Sequence, residues 1–367
     1  MELWTLREED LRGFLQVLRG DPPTRELREL GTAGAWRPES DSKQFSHLRE
    51  PRPDLSVKPY YLPPRQRVAE YGVTSKGASQ AAAVSEEEAE VSSGPLGGEG
   101  GGVLLGARAC ELRALGYLDQ VLLSPPGPDP LYDSRRRNHL VVTVDCVTPA
   151  ETCFCTLVDG QPYATDGFDL NLTPVEGGYV VEAGTERGEA LLSAAAFLEP
   201  ATAEESVERD RVRQMAVDHL ESQNERYRPA RDPAEALSAA EDAERWDDLA
   251  VGCVECGACT QICPTCHCFF LRDRALAASG VEASATFQRL RGWDSCMWSG
   301  YSRMAGPSGG KPNPRARFRT RFANRFLHKY AWSPEQWGML GCVGCGRCTD
   351  ACAAGIDIRQ VIREMTA

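Results

Sequence analysis

Scarcity narrows the biology of this 367-residue chain before any motif is read. No apolar run of about 18 residues occurs, so no helical membrane span is expected. Positive charge is in deficit: 41 Lys and Arg stand against 53 Asp and Glu, a formal charge of −12. That balance argues against general binding to nucleic acid or to an anionic membrane surface. Histidine is thin. His47, His139, His219, His267 and His328 are scattered, so surface and core roles outweigh catalysis. The dinucleotide fingerprint Gly-x-Gly-x-x-Gly, the phosphate loop Gly-x-x-x-x-Gly-Lys-Ser/Thr and the zinc-protease His-Glu-x-x-His are absent. The stretch Met1 to Asp10 has neither a basic-then-apolar leader nor a twin arginine, so the cytoplasm is the expected compartment.

Cysteine breaks this pattern. There are 15, and without an export signal they point to metal ligation rather than disulfides. Eight fall in two copies of one spacing, C-x2-C-x2-C-x3-C. The first copy is Cys253, Cys256, Cys259 and Cys263; the second is Cys342, Cys345, Cys348 and Cys352. This is the bacterial ferredoxin spacing. Three closely spaced thiolates curl around one [4Fe–4S] cube, and the fourth usually ligates the other cube. Gly257 and Gly346 stand where a tight loop needs positive φ or close backbone approach. Structural zinc favours two ligand pairs with a longer gap, so a zinc-stapled interaction protein is the weaker alternative. Two [4Fe–4S] clusters follow, at potentials that lie somewhere in a range of roughly −700 to +450 mV.

Along the chain, residues 1 to about 75 read as a small folded segment, with a helical stripe at Leu11, Phe14, Leu15 and Leu18. Tyr60 to Pro64 reads as a turn or extended piece, because two prolines stop a helix. Residues 75–102 are rich in Ser, Gly, Ala and Glu and read as a flexible insertion. Strands are expected at 102–106 and 139–144, with a helix opening at Ala107 between them. Helices are expected over about 188–197, 204–227 and 232–249. The expected fold class is α+β: an α/β-type N-terminal domain over 1–200, then a mostly helical two-cluster ferredoxin domain over 201–367.

Seven cysteines lie outside the ferredoxin loops. Cys110, Cys146, Cys153 and Cys155 gather at the ends of the expected strands, where α/β domains collect functional groups. They fit a third [4Fe–4S] cluster; zinc on the same four, or unligated structural thiols, are the alternatives. Cys266, Cys268 and Cys296 read as donors near a cluster or as small buried apolar groups, with a further redox or ligand role as the other possibility. The basic stretch Lys311, Arg315, Arg317, Arg319, Arg321, Arg325 and Lys329 is read as compensation for cluster charge or as a subunit interface.

Several stretches together carry a resemblance. They are Gly106 to Cys110; Asp129, Tyr132, Arg135, Arg136 and Asn138; Cys146 with Cys153-Phe154-Cys155; Cys263-Pro264-Thr265-Cys266-His267-Cys268-Phe269; Trp293 to Cys296; and Cys342 to Cys348. Over roughly residues 100–365 the chain resembles the iron–sulfur β subunits of cytoplasmic nickel–iron hydrogenases of the sulfhydrogenase type. It is similar, too, to the A subunit of anaerobic sulfite reductase. The resemblance implies a soluble hetero-oligomer in which this chain is not itself catalytic. It would pass electrons between a flavin subunit that handles NAD(P) and the hydrogenase small and large subunits. Ala109 and Glu111 stand where the family often has Pro and Asp, and Ala353 follows Cys352 where Pro is usual.

Overall fold

The computed structural model describes residues 2–20, 26–29, 48–74, 77–78, 82–83, 102–241, 243–276, 285–306 and 312–367. Among the described residues twelve strands, numbered along the chain, form two sheets. The larger takes β1 (Leu3–Arg7), β2 (Glu26–Glu29), β6 (Gly102–Ala107), β7 (Leu140–Val144), β8 (Leu170–Val175), β9 (Gly178–Ala183) and β10 (Glu199–Pro200). Their order is β10-β1-β9-β8-β7-β6-β2. Strands β2, β6, β7 and β8 are parallel, and β9, β1 and β10 continue antiparallel.

Continuous apolar runs explain the parallel half. β6 and β7 are buried at every position, as strands covered on both faces must be. Alternation then sorts their side chains. Val103, Leu105, Val142 and Val144 face a core with Leu6, Phe14 and Leu18, whereas Leu104 and Val141 face Leu115, Leu118, Tyr61 and Tyr132. Helix Ala109–Leu122 leaves β6, and helix Pro130–Asn138, capped by Asp129, leads into β7. Cys110 and Cys146 therefore sit just beyond the carboxyl ends of two adjacent parallel strands.

The smaller sheet joins distant parts of the chain. It contains β3 (Arg65–Thr74), β4 (Gly77–Ala78), β5 (Ala82–Ala83), β11 (Phe269–Ala275) and β12 (Ala285–Trp293). β12 pairs antiparallel with β3 on one side and β11 on the other, so the segment between the cysteine motifs is stitched to the N-terminal part. C-terminal helices Phe318–Leu327 and Ile358–Thr366 close over a core of Trp246, Phe322, Phe326, Tyr330, Val361 and Ile362, which also takes in Phe154 and Val158.

The architecture is α+β, with a sheet-based N-terminal part and a largely helical C-terminal one. Several local expectations need correction. The hairpin β11/β12 lies inside the part expected to be mostly helical. Its charged members Arg272, Asp273, Arg274 and Arg289 point outward and dilute the apolar signal, while ladder hydrogen bonds hold the strands. Of the Tyr60 to Pro64 piece, Tyr60 and Tyr61 close a single helical turn, Lys58–Tyr61, with Pro59 in its first turn, and it stops before Pro63 and Pro64. The 232–249 helix divides into Pro233–Ala239 and Arg245–Leu249. The Trp246 indole donates to the Ala240 carbonyl at 2.8 Å, which folds the second piece back so that the ring meets Phe322 and Phe326. Most of the 75–102 insertion lies outside the described residues; 77–78 and 82–83 pair along β3.

Candidate metal centres

The two ferredoxin loops repeat one backbone path. Glu255 (φ 55°) and Gly257 (φ 76°) in the first match Gly344 (φ 66°) and Gly346 (φ 72°) in the second. Positive-φ residues two apart in such a tight loop turn nearby N–H groups to one side, an anion-receiving concavity. Each loop then enters a helical turn, Ala258–Gln261 or Arg347–Asp350. The thiol neighbourhoods are crossed. Burial raises the Cys253 thiol, and the thiols adding to that rise are Cys259, Cys352 and Cys256. Burial pushes Cys348 up to about 12, with Cys263, Cys342 and Cys345 adding to it. Each three-cysteine loop thus meets the fourth cysteine of the other copy.

The four N-terminal cysteines also come together. Cys110, Cys153 and Cys155 are buried. Burial pushes Cys146 up to about 11, with Cys153 among the charges that add to it. Burial and then Cys146 and Cys153 raise Cys155. Burial also raises Cys110 and Cys153, and Cys345 of the second ferredoxin loop is a neighbour of both. Contact with that loop is direct. Phe154 N–H donates to the Gly344 carbonyl at 2.7 Å, and the Cys153 thiol lies 3.6 Å from the Cys345 carbonyl oxygen. A Cβ on Gly344 would stand 2.5 Å from the Cys155 Cα, and one on Gly346 would stand 2.3 Å from the Thr152 carbonyl oxygen.

Buried cations line these sites. Arg347, between Cys345 and Cys348, pairs with Glu111 at 2.7 Å where both are almost wholly buried. Its Nε also donates to the carbonyls of Pro53 and Asp54. In the basic stretch, Arg321, Arg325 and Lys329 recur every fourth residue and are buried, whereas Arg317 is exposed; Lys311 lies outside the described residues. Arg321 is held by Glu255 and by the Met297 carbonyl. Lys329 Nζ reaches the Cys263 thiol at 3.4 Å from a π-helical turn, His328–Trp332. Arg325 Nε and Nη2, Arg347 Nη1 and Arg113 Nη1 are buried without hydrogen-bond partners among the described residues. All three arginines sit beside cysteines. Unmatched donors of this kind fit thiolate-ligated, negatively charged inorganic groups, whose sulfurs accept such bonds.

The sequence did not mark out Glu111, Arg113 or Lys58. Glu111 had one signal, its place beside Cys110; Lys58 had none, since its neighbours lie about 200 residues away. Cys266 and Cys268 leave the first loop toward β11, and Cys296 follows β12. His267 packs against Tyr117 and His328 rings and its Nδ1 faces the Thr265 carbonyl at 3.1 Å.

Residues 252–356 match the 4Fe-4S dicluster domain family. That match favours iron–sulfur centres over the zinc alternative. The chain is also 33% identical over 270 residues to the Sulfhydrogenase 2 subunit beta of Pyrococcus furiosus, spanning 73% of this chain and 75% of the relative. Among the described residues no helix is long and apolar enough to cross a membrane. With crossed ferredoxin loops, cation-lined thiols and this degree of identity, the chain belongs to the family of sulfhydrogenase β subunits, iron–sulfur proteins of hydrogenase complexes.

Proposed function

We propose that this chain is the electron-relay subunit of a cytoplasmic hydrogenase complex, and that it carries three centres over one continuous path. Cys253, Cys256, Cys259 and Cys352 would hold one cube; Cys342, Cys345, Cys348 and Cys263 a second; Cys110, Cys146, Cys153 and Cys155 a third. Bound there, each [4Fe–4S] group takes up and returns one electron. The chain's own residues supply the setting. Arg325, Lys329 and Arg347 place positive charge and N–H donors beside the thiols, favouring the more negative, reduced state. Glu111 offsets Arg347 and pins helix Ala109–Leu122 to the second loop.

One observation carries the proposal: the N-terminal thiols abut the second ferredoxin loop, and that loop shares ligand neighbourhoods with the first. The series runs from deep burial toward the surface, since Cys256 is exposed. Val251 (76% exposed), Val254 (68%) and Trp298 (37%) surround that end. We place the contact with one partner subunit there, either the flavin/NAD(P)-binding subunit or the nickel–iron module. Segments 1–200 and 201–367 are proposed to work as a single relay unit rather than as a tethered pair. Purification of the native complex without oxygen should bring down nickel and flavin with the chain; siroheme in their place would assign it to a sulfite reductase.

A further inference from the structure

Twelve of the 15 cysteines are used by the three centres, leaving Cys266, Cys268 and Cys296. The fold brings these three together. Pairing of Phe269 with Trp293 closes the β11/β12 ladder, and Asp294 N–H then donates to the Cys268 carbonyl at 2.9 Å. The Cys268 thiol neighbours the Cys296 thiol and the Tyr301 hydroxyl. The Cys266 thiol neighbours those of Cys263 and Cys296.

The charge around this pocket needs explanation. Lys58 is 2% exposed, yet among the described residues its ammonium meets only the carbonyls of Gln261 (2.9 Å) and Cys266 (3.2 Å) and the Trp293 ring (3.8 Å). Lys329 is 5% exposed and meets Cys263 Sγ, Thr265 Oγ1 and the Gly341 carbonyl. Neither has a carboxylate partner among the described residues. An ammonium buried without counter-charge is costly. The groups near Lys58 able to carry negative charge are Cys266, Cys263 and Cys268. A Cys268–Cys296 disulfide would be neutral and would leave Lys58 unmatched. A single ion fits poorly as well: among the described residues no three His, Cys, Asp or Glu converge tightly enough to hold one. The same is true of the ferredoxin cysteines, whose partner is a wider group.

We propose that Cys266, Cys268 and Cys296 hold a fourth iron–sulfur cube, ligated by three cysteines and balanced by Lys58. Its assembly releases three thiol protons to solvent, and its fourth iron lacks a cysteine. This rests on the iron–sulfur assignment of the ferredoxin loops but not on that of the N-terminal set. A cube with one iron not bound by cysteine loses that iron under mild oxidation. Ferricyanide accepts one electron, ferrous iron leaves, and a three-iron cluster remains, with a near-isotropic EPR signal.

The test uses the full chain, reconstituted without oxygen from iron and sulfide. About sixteen irons per chain are expected with the N-terminal set filled and about twelve without it, and in either case ferricyanide should produce the three-iron signal. The triple variant Cys266→Ser, Cys268→Ser, Cys296→Ser should lose about four irons and that signal while keeping the remaining dithionite-bleached absorption. The Cys153→Ser variant, altered only in the N-terminal set, should keep the signal whatever iron it loses. An unaltered iron count in the triple variant, or one zinc per chain lost from it, would overturn the proposal. So would a parent chain giving no three-iron signal, whether or not the variant folds.

Discussion

Lys329 shows how a single side chain tunes such a site. Its ammonium is buried against Cys263 Sγ at 3.4 Å. A unit charge about 8 Å from a cube, at an effective dielectric of about 20, is worth about 2 kcal/mol, or on the order of 90 mV for one electron. Lys329→Met should therefore lower the midpoint potential of one centre by that order, as read in an EPR-monitored redox titration; an unmoved potential would contradict the role. Glu111→Gln leaves Arg347 buried without its carboxylate and should cost about 3 kcal/mol in urea unfolding. His139 contributes to acid stability. Burial pushes its imidazole down to about 4 from an ordinary 6.5, its Nδ1 faces the Arg135 carbonyl, and Nε2 is buried without a partner among the described residues. Protons in that window bind the unfolded chain more readily, so the stability present above about 6.5 is lost as pH falls toward 4. His139→Asn should lose about 2 kcal/mol less than the parent between pH 7.5 and 5, by urea midpoints. The ferredoxin loops were legible because their spacing is local. Lys58 was not, because its site is assembled by β3–β12 pairing across the chain.

At the scale of elements, the second ferredoxin loop and the Cys153-Phe154-Cys155 turn behave as one piece. Gly344 makes this possible: its φ of 66° and its lack of Cβ let it lie against Cys155. Gly344→Ala should cost upwards of about 2 kcal/mol and reduce iron in both neighbouring centres. Full iron and an unchanged melting temperature would show that the contact is dispensable. Strands β6 and β7 were readable as unbroken apolar runs. The hairpin β11/β12 was not, because arginines alternate with its apolar residues and β-branched residues are few. The break near Ala240 was hidden as well, since only the tertiary reach of Trp246 to Phe322 and Phe326 favours it over a continuous helix.

For the whole molecule, acidity and buried basicity are complementary. The chain carries −12 overall, yet Arg325, Lys329, Arg347 and Lys58 are held inside, where they match cysteine sulfurs rather than carboxylates or, for Arg347, in addition to one. The gathering of Cys110, Cys146, Cys153 and Cys155 was foreseeable from strand ends, but their seat against Gly344 required the folded chain. The most direct measurement is iron and acid-labile sulfide per chain in protein purified under strict oxygen exclusion, with the visible spectrum before and after dithionite. At least about twelve irons are expected, rising to about sixteen if the Cys266 site is filled, with broad absorption that bleaches on reduction. A folded, colourless, iron-free chain from such a preparation would contradict the assignment.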